Sequence, residues 1–375
     1  MHRVLILKFP YSSLFGGGEK HTLTMVEQLR NKGFEFYFAG SCRVLLAEFR
    51  RRRWPARRWW AGPEPVSKGT IALWPFTALA AGIALVVLLL WYRIRVRVRI
   101  VYCSSLTEKI LVTIPARLLG MRVFWVEHVT FDRWLTRNPL RLLYRWSARW
   151  AHTIAVSQVI RTQLVDEIHV SASRVQVIYP GIDLRTFMRK EHQWHESARF
   201  NIGCVARLEK EKGIEYLLHA VKIIKEFIPF VRLIVVGEGS ERKKLIWLTE
   251  RLELKEMVQW VGRQRNVEKW YHYFDTYVLP SVIRESFGLT IIEAMASGIP
   301  VVASRIGGTS EIITHQRNGL LAEPGNSQDL ADQLLWLFNN RPQAQEMAEA
   351  AYQRVLASFS LERMARDYYI LFRGA

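Results

Sequence analysis

Two doubly wound α/β domains in one chain are what this sequence predicts, and three observations predict them. Short apolar runs of strand length alternate with amphipathic helical stretches along most of the chain. The chain opens as strand, glycine loop, helix and strand, the way a doubly wound sheet begins. The alternation restarts after a polar stretch near Arg189–Arg199, and 375 residues are enough for two full-sized cores.

In order, Arg3 to Phe9 reads as a buried strand, and Pro10 to Gly18 as a loop ending in three glycines. The apolar run Met1 to Leu7 is too short for a signal peptide. Glu19 to Asn31 has helical periodicity through Leu23, Val26 and Leu29, with Gly33 as its stop. Phe34 to Ala39 is the next strand. Val101 to Ser105 ends a core strand, Leu106 to Leu119 is a helix, and Val123 to Val126 is a strand running into Glu127 and His128. Leu140 to Trp150 carries Arg141, Arg145 and Arg149 at four-residue spacing, which makes a basic amphipathic helix. It suits lipid headgroups or a plain solvated face equally. Thr153 to Ser157 and Val175 to Ile178 complete the strands of the first half.

The middle of the first domain is unusual. Arg50 to Trp60 interleaves Arg with Trp, Gly69 to Tyr92 holds 24 residues without a charge, and Arg93 to Ile100 alternates strictly between Arg and apolar residues. As helix, the uncharged segment spans about 36 Å, against roughly 30 Å of bilayer hydrocarbon. A segment apolar all round is buried deeply or lies in lipid. A single crossing would leave the first two strands on one side of the membrane and the rest of the sheet on the other. The expectation is therefore a monotopic or re-entrant helix at the cytoplasmic leaflet, anchored by Arg and Trp on its flanks.

In the second half, strands are expected at Phe200–Ala206, Val231–Val236, Val258–Val261, Thr276–Leu279 and Val301–Ala303. Helices are expected at Gly213–Phe227, Glu241–Arg251, Val267–Tyr273 and Leu289–Ser297, with a capped C-terminal helix over Ser360–Phe372. Expected boundaries are 1–190 for a first domain with its basic, apolar segment 50–100, 199–358 for a second domain, and 359–375 for the C-terminal helix.

The net charge of +19 lies wholly in the first half: residues 1–190 hold 30 Lys+Arg against 11 Asp+Glu, while residues 191–375 hold 23 against 23. One domain therefore meets an anionic surface, whether nucleic acid, anionic lipid or a polyanionic acceptor. Three widely spaced cysteines give neither a disulfide framework nor a zinc motif, which fits a reducing cytoplasm.

The chemistry concentrates in Glu285 to Ala303. Two carboxylates, Glu285 and Glu293, stand eight positions apart, the first just before a helix and the second inside it. The backbone N–H groups of Phe287, Gly288 and Leu289 would lie at the helix N-terminus, which favours an anion such as a phosphate. A carboxylate for a sugar, amides for a phosphate and a carboxylate for a ribose describe a nucleotide-sugar site.

This pattern resembles the E-x7-E motif of glycosyltransferase family 4, retaining enzymes of the GT-B fold. Arg207-Leu208 to Lys212-Gly213 matches the family's R-L-x-x-x-K-G segment, and Gly237-Glu238-Gly239, Gly262, Pro280-Ser281, Gly307-Gly308 and Asn318-Gly319 follow in family order. Gly16 to Lys20 and Val156-Ser157 match in the first half. The departure is Thr70–Trp91, more apolar than the family's helix there. The resemblance implies two Rossmann-like domains facing across a cleft, with the C-terminal helix crossing back to the first. It implies that Arg207 and Lys212 hold the donor diphosphate and stabilise the leaving group, that Glu285 contacts the transferred sugar, and that Glu293 accepts from the ribose. Gly17 and Gly18 would let backbone approach the phosphate, and His128 would contact sugar or acceptor.

No Asp-x-Asp occurs, so no metal is expected; no cofactor is expected beyond the nucleotide sugar as co-substrate. The expected reaction moves a hexose from a UDP- or GDP-sugar to a membrane-borne acceptor, at the inner face of the cell membrane. A soluble-acceptor transferase and a GT-B nucleotide-sugar epimerase are the enzyme alternatives. A basic nucleic-acid-binding protein is the non-enzyme one, disfavoured by the lack of any recognised nucleic-acid module.

Overall fold

The computed structural model describes residues 1–9, 16–131, 133–187, 189 and 199–374. Pro10–Phe15 of the glycine loop and residues 190–198 of the polar stretch lie outside the described residues. The chain divides into two compact units, Met1–Gly181 with Glu362–Ala375, and Ile182–Leu361.

The first unit is built on a seven-stranded parallel sheet of β1 (His2–Lys8), β2 (Phe34–Gly40), β3 (Ala56–Arg58), β4 (Ile100–Cys103), β5 (Arg122–Glu127), β6 (His152–Ala155) and β7 (Val175–Val177), in the order β3-β2-β1-β4-β5-β6-β7. The central strands are continuous apolar runs because a parallel sheet is covered on both faces. Val4 to Leu7 and Ile100 to Cys103 are fully buried. The C-terminal helix Leu361–Gly374 belongs to this unit and packs Phe372 on Phe34, Tyr102 and Phe124.

The second unit carries a six-stranded parallel sheet of β8 (Phe200–Val205), β9 (Val231–Val236), β10 (Val258–Gly262), β11 (Thr276–Leu279), β12 (Val301–Ser304) and β13 (Leu320–Ala322), in the order β10-β9-β8-β11-β12-β13. Helix Ile214–Ile224 seats Leu217, Leu218 and Val221 against this sheet, and helix Ser327–Asn339 packs beside it through Leu330 and Leu334. In both sheets the strand order reverses beside the first strand of the unit, between β1 and β4 and between β8 and β11. Such switch points open a crevice beyond the strand ends, where ligands of open α/β sheets bind.

The uncharged segment is a helix, Lys68–Trp91, and it is not a core helix: only Ala81, Leu85, Leu88 and Leu89 are buried. The strictly alternating stretch Arg93–Ile100 does not begin as a strand. The helix continues as one π turn, Tyr92–Val96, and stops at Arg97, whose φ of 59° is left-handed. The strand begins only at Ile100. Arginine is a good helix former, so alternation with apolar residues does not by itself force extension.

Helix Leu106–Leu118 begins against two buried carboxylates. Glu108 Oε1 accepts from the backbone N–H of Ser104 at 3.1 Å and of Ser105 at 2.5 Å. Glu64 Oε1 accepts from the N–H of Leu106 and, at 3.3 Å, of Thr107. Burial and the neighbouring Glu108 carboxylate push the Glu64 pKa up to about 8, while burial also raises that of Glu108. The folded chain thus holds a proton on Glu64 that an unfolded chain releases near 4.5. Stability contributed by this neutral acid is complete below pH 4.5 and declines as pH rises toward 8, by on the order of a few kcal/mol. Glu64→Gln should flatten that decline; urea midpoints at pH 5.5 and 8.5 that move equally in wild type and variant would contradict it.

Candidate functional site

At the switch point of the second unit, the loops after β8 and β11 are pressed together. Gly213 has φ +61°, and a Cβ there would fall 2.1 Å from the Pro280 carbonyl oxygen, so only glycine permits the approach. The Val282 N–H donates to the Glu211 carbonyl at 3.0 Å across the same seam. This brings Lys212 to Glu285: Lys212 Nζ lies 2.5 Å from Glu285 Oε1, with side chains 16% and 14% exposed. Ser281 Oγ donates to the same oxygen at 2.5 Å. Arg207 lies nearby in sequence but more exposed, 3.0 Å from Glu211. Both cations therefore carry an internal carboxylate partner that an incoming diphosphate has to displace or share.

Helix Leu289–Ala296 starts from Gly288, at φ +112°, which has no side chain of its own to cap it. The approach loop is held by backbone: Gly308 N–H donates to the Glu285 carbonyl at 2.8 Å, and a Cβ on Gly308 would sit 2.6 Å from Phe287 Cα. Glu285, Phe287, Gly288 and Leu289 are thereby fixed as one turn between β11 and the helix. Glu293, on that helix, is only 4% exposed, and its Oε2 accepts from Tyr271 Oη at 2.8 Å. Burial and the Glu293 charge hold the Tyr271 phenol far above its usual range, so it stays a donor.

In the first unit, helix Gly17–Arg30 begins at Gly17, and Glu19 Oε2 accepts from the Gly16 N–H at 3.1 Å. Lys8, at the end of β1, pairs with the other oxygen of Glu19 at 2.5 Å. A Cβ on Gly18 would meet the His128 ring at 3.2 Å, so the imidazole lies against the start of this helix. His128 Nδ1 is 3.4 Å from His21 Nδ1, and His21 Nε2 is 3.3 Å from Tyr368 Oη on the C-terminal helix. Burial pushes His21 down to about 4; burial, then the charges of His21, Lys8 and Lys109, push His128 well below the usual range. Both rings are neutral at pH 7. His128 Nε2 has no hydrogen-bond partner among the described residues.

The structure thus groups Lys212, Glu285, Phe287, Gly288 and Leu289 at one strand-end seam, while Arg207 lies exposed beside Glu211 in the loop after β8 and Glu293 lies buried on the helix that follows the seam. Separately, it groups Gly17, Gly18 and His128. Glu127, beside His128 in sequence, turns inward to Lys109 and Tyr144. The sequence reading missed Tyr271, which lies 22 residues from the carboxylate it meets, and it missed His21. Ser281, four residues before Glu285, stands in a quoted motif without a role. Among the described residues, no three His, Cys, Asp or Glu side chains gather as metal ligands.

Two family profiles meet end to end on this chain: "Glycosyltransferase Family 4" over residues 15–186 and "Glycosyl transferases group 1" over residues 185–354. This chain belongs to glycosyltransferase family 4. A curated relative, N-acetyl-alpha-D-glucosaminyl L-malate synthase of Bacillus anthracis, is 30% identical over 228 residues, 58% of this chain and 59% of the relative. The matched part spans about half to three fifths of the length of such relatives. A solved glycosyltransferase from Rickettsia africae superposes with a TM-score of 0.85 at 20% identity, covering 100% of this chain and 98% of the other. Anabaena HepE, solved with UDP, superposes with a TM-score of 0.83 at 20% identity over 100% of both chains. The family-4 chain accordingly has the GT-B fold.

Proposed function

We propose that this family-4 chain is a retaining, metal-independent transferase that moves a hexose from a UDP- or GDP-sugar to a membrane-borne acceptor. The observation that carries the donor half is the Lys212–Glu285 pair at the strand-order reversal, beside a helix whose N-cap position is a glycine. A diphosphate there draws Lys212 and Arg207 onto its oxygens, the arginine as a fork and the lysine as a point charge. It also accepts from the backbone at Gly288 and Leu289. These preorganised donors take up charge as the sugar–phosphate bond breaks, and stabilisation of that kind is the main source of rate acceleration in such a site. Glu285, freed of Lys212, faces the sugar hydroxyls, and Glu293 with Tyr271 completes a polar floor for the ribose. The departing phosphate takes the acceptor's proton on the face it leaves, so configuration is retained. In the first unit the neutral His128, its Nε2 without a partner among the described residues, offers a polar contact to the acceptor.

The HepE structure with UDP supports a uridine nucleotide as the first to test. A soluble acceptor is the second reading, favoured by the Bacillus relative named as a glucosaminyl-malate synthase. The test is nucleotide release from UDP- and GDP-hexoses in EDTA, with lipid-linked acceptors in detergent set against small soluble ones, and the product anomer read by NMR. Release that needs the lipid-linked acceptor and survives EDTA is expected. Release only with soluble acceptors would replace the acceptor, and abolition by EDTA would overturn the metal-free mechanism.

A further inference from the structure

The helix Lys68–Trp91 exposes large apolar side chains along its length. Leu73, Phe76, Leu79, Ile83 and Val87 are 55–82% exposed, and Ile94 continues the ridge at 68%. The buried side of the helix rests on Leu106–Leu118, which packs on its other flank against Arg141–Ala148. That third helix and the turn after it present a second ridge, Leu142, Trp146 and Trp150, each at least half exposed. Isolated exposed apolar residues need no explanation, but ridges of this size on one helical layer do.

We propose that this layer docks the first unit on an anionic phospholipid leaflet, with Lys68–Trp91 lying in the plane of the interface. The sheet decides between lying and crossing. β3 precedes the helix and β4 follows it, yet both belong to one sheet, joined through β2 and β1. A span would carry the ends of the helix to opposite sides, which a shared sheet forbids. A helix with one face on its own protein and the other apolar sinks its free face to the headgroup–acyl boundary.

Charge complementarity selects the lipid. Between Glu64 and Glu108 the sequence holds no Asp or Glu, and both of those carboxylates are buried. The same stretch holds Arg93, Arg95, Arg97 and Arg99 at the end of the helix, and Arg57 lies over Trp91 and Trp59 at 5.6 and 5.4 Å. Arg145 and Arg149 flank the second ridge and are exposed. Such clusters at an apolar ridge fit phosphate headgroups, with tryptophans at the interface. A second copy of the chain fits less well. Positions 73, 76, 80, 83, 87, 90 and 94 follow alternating three- and four-residue steps, as a coiled-coil seam does, but no charged residue stands between Gly69 and Tyr92 to flank one.

The inference deepens the membrane-borne acceptor proposed above and rests on it for its purpose; the experiment separates the two. Full-length protein is floated with phosphatidylcholine vesicles, with and without phosphatidylglycerol. Wild type should float only with the anionic vesicles, less so at high salt, and F76E/I83E should lower partitioning at least tenfold while binding nucleotide as before. Failure of folded wild type to float with anionic vesicles would overturn the docking, even if lipid-linked acceptors in detergent are used. Self-association in sedimentation that the double variant abolishes, without flotation, would assign the ridge to a second copy instead. Flotation with only soluble acceptors used would leave the docking standing and remove the acceptor.

Discussion

Replacing Lys212 by alanine should lower kcat by about a hundred- to a thousandfold, the cost of removing one preorganised donor from developing charge. The chain should stay folded, because the side chain sits at a loop seam with 16% exposure rather than in the core. Glu285→Ala should lose comparable activity for a different reason: it removes the sugar contact and also the partner that aims Lys212. The two losses should not add in the double variant, since the residues position each other at 2.5 Å before the donor binds and then serve one bond-breaking step. Steady-state kinetics of the single and double variants check this, with circular dichroism as the folding control. Wild-type turnover in either single variant would remove that residue from the site.

Breaking the Lys109–Glu127 pair should destabilise the first unit by about 3–5 kcal/mol, because removing one partner strands a buried charge. Lys109 Nζ is 2.6 Å from Glu127 Oε1 and donates to the Val126 carbonyl at 2.9 Å, while Tyr144 Oη donates to the same Glu127 oxygen at 2.5 Å; the paired side chains are each 3% exposed. Lys109→Met and Glu127→Ala should each shift the urea midpoint far down, and a Lys109→Met/Glu127→Leu double variant should recover much of the loss. A cost below about 1 kcal/mol in the single variants would mean that the pair behaves like an exposed ion pair. Glu127 and His128 stand side by side at a strand end, and the family resemblance gives a site role to His128 alone. The structure splits them, sending the carboxylate to the core and the imidazole to the start of the first helix.

That split shows what the sequence carries and what it does not. The central strands were readable because a parallel sheet buries both faces and writes itself as a continuous apolar run, as in Val4–Leu7 or Val231–Val236. The short edge strand Ala56–Arg58 and the helix Arg43–Arg51 were not, because arginines crowd the stretch. Only Leu45, Leu46 and Phe49 mark the buried side of that helix. The helices Ser327–Asn339 and Arg341–Ser358 also lie beyond what the reading assigned. At the site, motif order named Lys212 and Glu285 as members of one site, but did not show that they pair with each other. The contact depends on Gly213 passing under the Pro280 carbonyl, a meeting of two loops 67 positions apart. Tyr271 on Glu293 and Tyr368 on His21 are hidden for the same reason: partners of buried polar groups are chosen by tertiary packing.

The Lys212 site most directly carries the account, and one titration tests it. UDP and GDP are titrated calorimetrically into wild type and Lys212→Ala, both in EDTA. One diphosphate should bind wild type without metal, and the variant should bind it at least tenfold more weakly at unchanged fold. Equal affinity in the two proteins, or no binding of either nucleotide to folded wild type, would contradict a diphosphate site at Lys212 and Glu285.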